Sequence, residues 1–406
     1  MALRVSTNGM YAQGLGNLEL REGEIARLQQ QISSGVKLAR GADDPTGMAT
    51  TQQLDHVVAR LAQYDKDATL VGNRLTQQEG ALSDAGDVLA RARELAIQGN
   101  NAPLSDNDRK AIAAEVRQLR SALIGIANRD DGNGRSLFAG TRDGVVPFVD
   151  NAGSIRYQGD DGRNNVDIAP DTAVADTDPG SAVFLRVGTG DGYSRGSAGA
   201  ANNGSGVLEV ASVTDPAAWN GRTLTVRFTS ASTYEIVDRN GAALVPPVTG
   251  TWTSGQAFPD PAANLGVQFR ITGTPATGDT FSIGRAPTRD IFATLDALAT
   301  TLEAPSGTPA DTARRTNAMA SAIGDIATAQ DHMLTLRADA GMRLQELDHT
   351  ADRRSSEKVT LADTLSSLRD TDLAKAVSQL TLKMTALDAA QKSMLRIQGL
   401  SLFDKL

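Results

Sequence analysis

The sequence predicts a mainly α protein with a β-rich insert. It is an α+β chain whose N- and C-terminal segments build an elongated antiparallel helical bundle or coiled coil. Three observations predict this. An apolar heptad runs unbroken from Leu54 to Ala96, similar heptads return in the C-terminal third, and both Trp and most of the Gly and Pro fall between them.

The long N-terminal heptad carries Leu54, Leu61, Ala68, Leu75, Leu82, Leu89 and Ala96 in one row. Val57, Tyr64, Val71, Gln78, Ala85 and Ala92 form the second row, and only Gln78 is strongly polar. This spacing belongs to a helix buried against other helices. At the rise of an α-helix the stretch makes a rod of roughly 65 Å. Asp44-Pro45 is a start signal, a carboxylate acceptor followed by a residue that needs no N–H in the first turn. Gly99-Asn100-Asn101 with Pro103 beyond is a stop signal. Gly72, Gly80 and Gly86 lie inside the rod. Either a neighbouring helix approaches closely there or the packing tolerates them.

Residues 1–43 carry a sparser stripe of Leu15, Leu18, Ile25, Leu28 and Ile32, interrupted by Gly9, Gly14, Gly16 and Gly23. Such a helix is marginal alone and is expected to order only against partners. Ser105-x-x-Asp108 starts a further helix with Ile112, Val116, Leu119, Leu123 and Ile126, turned back on the rod by its short connection. Period-2 runs then appear at Leu224/Val226/Phe228 and Leu265/Val267/Phe269/Ile271, with Asn240-Gly241 as a hairpin turn. The Gly/Ser/Asn stretch 188–206 reads as a loop or hinge.

Helix returns at 288 with Ile291, Leu295, Leu298 and Leu302, and Ala304 to Pro309 interrupts it. Met319, Ile326, Met333, Ala340 and Leu347 continue at sevens, and Leu361 and Leu368 resume the register. The polar run Arg353 to Lys358 reads as a solvated part of the bundle or a hinge. Arg369-Asp370-Thr371-Asp372 breaks and re-caps. The last helix shows rows Leu373/Leu380/Leu387/Met394 and Val377/Met384/Gln391, with Gly399 as its expected end.

The expected domains follow. Residues 46–177 and 288–365 form a helical rod domain with attached hairpins. Residues 178–287 form the β-rich insert. Residues 1–45 and 366–406 are terminal helices, disordered in the monomer and coiled coil in an assembly.

Composition narrows the function. A net charge of −8 with no basic track argues against nucleic acid, and the absence of Cys removes disulfides and thiol chemistry. The N-terminus has no hydrophobic h-region of a cleaved Sec signal, and no apolar run is long enough to span a membrane. No catalytic constellation emerges. His56, His332 and His349 sit within helical patterns outside any His-Glu-x-x-His, and His56 reads as a solvated rim residue. Asp130-Asp131-Gly and Asp160-Asp161-Gly lack the full ligand run of a calcium loop and read as turns. Gly188-Thr-Gly-Asp-Gly does not join a strand to a helix as a dinucleotide loop would. Trp219 and Trp252 could form a glycan platform but fit the core of a small β domain. No cofactor and no metal are expected.

Several separated motifs resemble the bacterial flagellin superfamily. Ile32-Ser-Ser-Gly-Val-Lys-Leu-Ala-Arg-Gly-Ala-Asp-Asp-Pro-Thr-Gly-Met-Ala49 is similar to its segment before the first long helix. Ser136-Leu-Phe-Ala-Gly-Thr141 is similar to its bundle-to-insert junction. Asp370 to Val377 and Ile397 to Leu406 are similar to its C-terminal helix. Asp43-Asp44-Pro45-Thr46-Gly47 and the Leu-Phe-Asp-Lys-Leu tail resemble the hook-associated branch at the hook–filament junction more than flagellin proper.

The resemblance implies a structural, non-enzymatic role in the extracellular flagellum. The chain would form an annular layer with copies of itself, between the preceding hook-associated protein (FlgK) and the first flagellin. It also implies type III export and an export chaperone (FlgN). The residues expected to carry assembly by helix packing are Leu18, Ile25, Ile32, Val377, Leu380, Met384, Leu387 and Met394. A flagellin, or an extracellular adhesin with a β-rich head, are the alternative readings.

Overall fold

The computed structural model describes residues 7–403, apart from 43, 102, 103, 152 and 306. In chain order its helices and strands begin with α1 (Thr7–Ser34), α2 (Pro45–Gly99) and α3 (Asp106–Ala127). Two hairpins follow, β1 (Phe148–Asn151) with β2 (Ser154–Tyr157) and β3 (Asn165–Ala169) with β4 (Thr172–Ala175). The insert holds β5 (Val187–Gly188), β6 (Ser194–Ala198), β7 (Val207–Val213), the single turn α4 (Pro216–Trp219), β8 (Leu224–Phe228) and β9 (Thr233–Val237). It continues with β10 (Ala243–Thr251), β11 (Ala257–Phe258), β12 (Val267–Thr272), β13 (Thr280–Arg285) and β14 (Thr288–Arg289). The chain closes with α5 (Ile291–Glu303), α6 (Pro309–Arg369) and α7 (Leu373–Phe403). α7 passes through Gly399, where its end was expected; one glycine without a following breaker is tolerated inside a helix. Two compact units result, Met1–Lys66 with Thr350–Leu406, and Asp67–His349.

In the unit 67–349 the heptad of α2 makes the core. Leu75, Leu82, Ala85, Leu89, Ala92 and Ala96 are fully buried. From Leu82 onward they join Val116 and Leu123 of α3, Leu295 and Leu298 of α5, and Met319, Ile326 and Met333 of α6, while Leu75 packs with Ile168 and Val174 of the β3–β4 hairpin and with Ala340 and Leu347 of α6. The expected caps are present. Ser105 and Asp108 exchange both bonds of a capping box, and Thr308 and Asp311 repeat that exchange at α6. Of the three rod glycines only Gly72 faces a close neighbour, where an added Cβ would lie 3.6 Å from Leu347.

Gln78 has a specific partner. Its side chain donates to Asp178 Oδ2 and accepts from the Asp178 N–H, each at 2.8 Å. Arg343 holds both oxygens of the same fully buried carboxylate, and Arg163 adds a second cation. Burial pushes the Asp178 carboxyl up. The bonds from Arg343 and Gln78, with the charges of Arg343 and Arg163, outweigh it and hold the group below its ordinary value.

The junction motif sits at this core. Phe138 packs edge-on against Phe184 at 5.1 Å, and Phe148 meets Phe292 at 5.5 Å. Gly140 has φ of 70°, and a Cβ there would come within 2.3 Å of Asp160. Val183, Phe184 and Val187 all belong to the helical core. The insert therefore starts past the expected boundary near 178, because a π-helical turn at Ser181–Leu185 first returns apolar side chains to the helices.

The insert has a five-stranded sheet, order β10-β9-β8-β13-β6, and a three-stranded sheet, order β11-β12-β7. Trp219, Phe228, Phe269, Ile271, Phe281 and Ile283 fill its own core, and Trp252 is buried with them. Asn240-Gly241 turns β9 into β10, with only Gly241 at positive φ. The stretch 188–206 is neither a free loop nor a hinge. β6 lies within it, and its Gly-rich start docks on α6. Asp325 accepts from Gly190 N–H at 2.8 Å and pairs with Arg195 at 2.9 Å, while Asn317 accepts from Leu208 N–H and donates to Gly206 O.

The polar run Arg353 to Lys358 is helical. α6 is continuous through it, and Arg354 is buried.

Candidate assembly interface

In the second unit α1 and α7 pack side by side. Two chain breaks set the pairing. Gly35 ends α1 at φ of 70°, which a residue with a Cβ adopts poorly. The short segment Asp370–Asp372 separates α6 from α7. These segments lie alongside each other: Lys37 N–H donates to Arg369 O at 2.6 Å, and Thr371 N–H donates to Gly35 O at 2.8 Å. Asp372 caps α7 by accepting from Lys375 N–H, and Asp44 caps α2 by accepting from Thr46 and Gly47 N–H. Arg369 pairs with Asp55 at 2.6 Å. Arg354 and Lys358 both hold Asp65. Burial alone would raise Asp65, but those two hydrogen-bonded cations bring its carboxyl below the ordinary value.

Most positions that lose exposure on each helix repeat at 4-3-4-3 spacing: Gly14, Leu18, Arg21, Ile25, Leu28 and Ile32 on α1, and Ala376, Leu380, Lys383, Leu387, Ala390 and Met394 on α7, with Gly16, Gln31 and Ala386 beside them. Gly14 faces the thioether of Met394, 3.9 Å from where a Cβ would be. The structure thus gathers Leu18, Ile25, Ile32, Leu380, Leu387 and Met394 on one seam. The seam is shallow: only Ile25, 9% exposed, and Ala376, 5%, are buried in it.

Val377 and Met384 are not in that seam. They are 49% and 52% exposed, and with Leu373 and Leu395 they form a second apolar stripe beside it. The heptad rows merge the two stripes because positions one residue apart on a helix differ by only about 100°. Lys383 belongs to the seam through its charge: its ammonium bonds Glu24 of α1 at 2.7 Å. That hydrogen bond and charge hold the Glu24 carboxyl below its ordinary value. Glu and Lys of opposite helices are the flanking charges of a coiled-coil pair, a signal present in the sequence but ambiguous without the register. Leu20 and Leu382 are each 70% exposed and were not expected as interface residues.

Among the described residues no group of three or more His, Cys, Asp or Glu could hold a metal ion, and no helix is long and apolar enough to cross a membrane. His332 bonds the Ala182 carbonyl at 3.0 Å. Asp130, Asp131 and Asp160 accept backbone N–H groups of their own turns, and Asp160 also accepts from Thr141 N–H.

The chain is similar to known proteins over most of its length. The family of the bacterial flagellin N-terminal helical region matches residues 5–143. The crystal structure of Xanthomonas campestris FlgL is 43% identical, covering 77% of this chain and 99% of that one with a TM-score of 0.71. The flagellar junction protein FlgL from Legionella pneumophila is 25% identical over 79% of this chain and 100% of that one, with a TM-score of 0.69. The flagellar hook-associated protein 3 of Escherichia coli K12 is 23% identical over 402 residues, 99% of each chain.

Proposed function

This chain belongs to the FlgL family, the flagellar hook–filament junction proteins, and on that premise we propose how its geometry makes a junction. The chain is a structural component of the flagellum, connecting the hook-associated zone to the flagellin filament. The α1–α7 pair does the connecting. Its shared seam sets the register of the two terminal helices. Its second stripe, Leu373, Val377, Met384 and Leu395, remains uncovered for neighbouring chains.

The observation that carries this reading is that stripe. Exposed large apolar residues gathered on one helix face mark an interaction face. Burying a Leu, Val or Met side chain contributes about 1.5–3 kcal/mol each, more than a two-helix seam of this depth supplies to order its own helices. In the monomer α1 and α7 are therefore largely disordered, and they become coiled coil when neighbours cover the stripe; residues 1–6, 43 and 404–406 of the expected terminal segments lie outside the described residues. The neighbours are copies of this chain in an annular layer, FlgK on the hook side and flagellin on the filament side. The chain reaches the extracellular flagellum by type III export, escorted by FlgN, and it has no catalytic activity.

The test is Val377→Asp with Met384→Asp. Secretion and monomer melting should match the parent chain, while cells should retain hooks, release flagellin into the medium and lose motility. Full motility in the double variant would remove the stripe from the interface.

A further inference from the structure

A cleft of about 570 Å³ opens between β6 of the insert and the α5–α6 helices. Four guanidinium groups line it, Arg195, Arg289, Arg314 and Arg315, against two carboxylates, Asp311 and Asp325. That is a local positive excess in a chain of net charge −8. The carboxylates are already engaged: Arg195 holds Asp325 and Arg314 holds Asp311. Arg314 also donates to the Asn202 carbonyl. The side chains of Arg289 and Arg315 have no hydrogen bond or ion pair among the described residues. The Arg315 Nη1 is buried without an acceptor. Burial first, and the charge of Arg109 second, lower the pKa of Arg315. Arg315 is half-buried, and a guanidinium with an open donor is completed by a planar oxyanion. The walls between the charges are methyl groups, Ala297 and Ala318 among them.

We propose that this cleft is a carboxylate-binding site in which Arg289 and Arg315 receive the acid groups. The two open guanidiniums fit a pair of carboxylates on a short apolar frame. Such a ligand is a small di- or tricarboxylic acid, or two acidic side chains presented by a neighbouring protein chain. Recognition is the same for both. The paired Arg195 and Arg314 shape the walls and are not released.

The test is isothermal titration of the full-length chain at fixed ionic strength. One arm uses citrate, the other the capped peptide acetyl-Glu-Ala-Glu-amide. One-to-one saturable binding is expected, weakened at least about tenfold in the double variant Arg289→Gln, Arg315→Gln. Arg289→Lys, which keeps the charge, should retain more affinity than Arg289→Gln. Tighter citrate binding assigns a free acid, and tighter peptide binding assigns an acidic segment of a neighbour. The proposal is overturned if neither probe saturates, or if parent and double variant bind alike. Arg315 has no partner to lose, so the double variant should melt no lower than the parent. If it unfolds, the partly exposed Arg289→Gln carries the same comparison alone.

Discussion

The α2 heptad from Ala68 to Ala96 and the heptads of α1 and α7 look alike in the sequence and behave differently in the structure. In the first, Leu82 and Leu89 are fully buried because α3, α5 and α6 supply the other side chains of one core, and Leu75 is fully buried against the β3–β4 hairpin and α6. In the second, Ile25 is the one large apolar residue buried among the described side chains of α1, and Leu382 of α7 remains 70% exposed. A heptad states that a face wants a partner. It does not state whether the partner is in the same chain. The difference is between helices that complete a fold and helices that await one.

Breaking the first region should cost most. Leu82→Ala removes a fully buried side chain among residues that cannot collapse, and should lower unfolding free energy by about 2–5 kcal/mol in denaturant melts. Arg343→Met leaves the buried Asp178 short of its bidentate partner, and should cost about 3–5 kcal/mol. That pair also has a pH signature. The folded-state pKa of Asp178 lies below its unfolded value, so the associated stability is fully present above the unfolded value, about 3.9. It is lost as pH falls through the lower folded value. The acid-side loss of stability in the parent chain should therefore be smaller in Arg343→Met. An equal loss in both would show that Asp178 does not carry it.

The same substitutions in the second region should hardly register in the monomer. Leu380→Asp should leave the melting temperature almost unchanged while motility is lost with secretion intact. Lys383→Asp, which puts a like charge beside Glu24, should weaken assembly less than Leu380→Asp. The defect should shrink as salt screens exposed charges. A Leu380→Asp monomer that melts as low as Leu75→Asp would erase the distinction between the two regions.

Much of the helical architecture was legible. Asp44-Pro45 and Gly99 bound α2, and Ser105-x-x-Asp108 caps α3, because caps are local chemistry written in adjacent residues. The burial of Trp219 and Trp252 was legible from their place in a small β domain. What escaped depends on distant pairing. Gln78 looks like a flaw in its heptad until Asp178, remote in sequence, arrives beside it. The 188–206 stretch reads as a hinge until Asp325 of α6 accepts its Gly190 amide. At the interface, spacing found both apolar stripes of α7. Which one α1 covers, and that Lys383 reaches Glu24, depends on how α1 and α7 are rotated about their axes. Neither helix encodes that rotation alone.

Limited trypsin gives a coarser view of the same contrast. It should trim the arginines and lysines of both terminal segments and leave a core near residues 46–365. The most direct measurement is hydrogen exchange on the purified monomer, read segment by segment. Residues 75–96 should be protected to the level of global unfolding, while 10–34 and 373–396 exchange with little protection and gain it only in the assembled junction. Equal protection of 10–34 and 75–96 in the monomer would contradict the account, because the terminal helices would then be complete before any neighbour arrives.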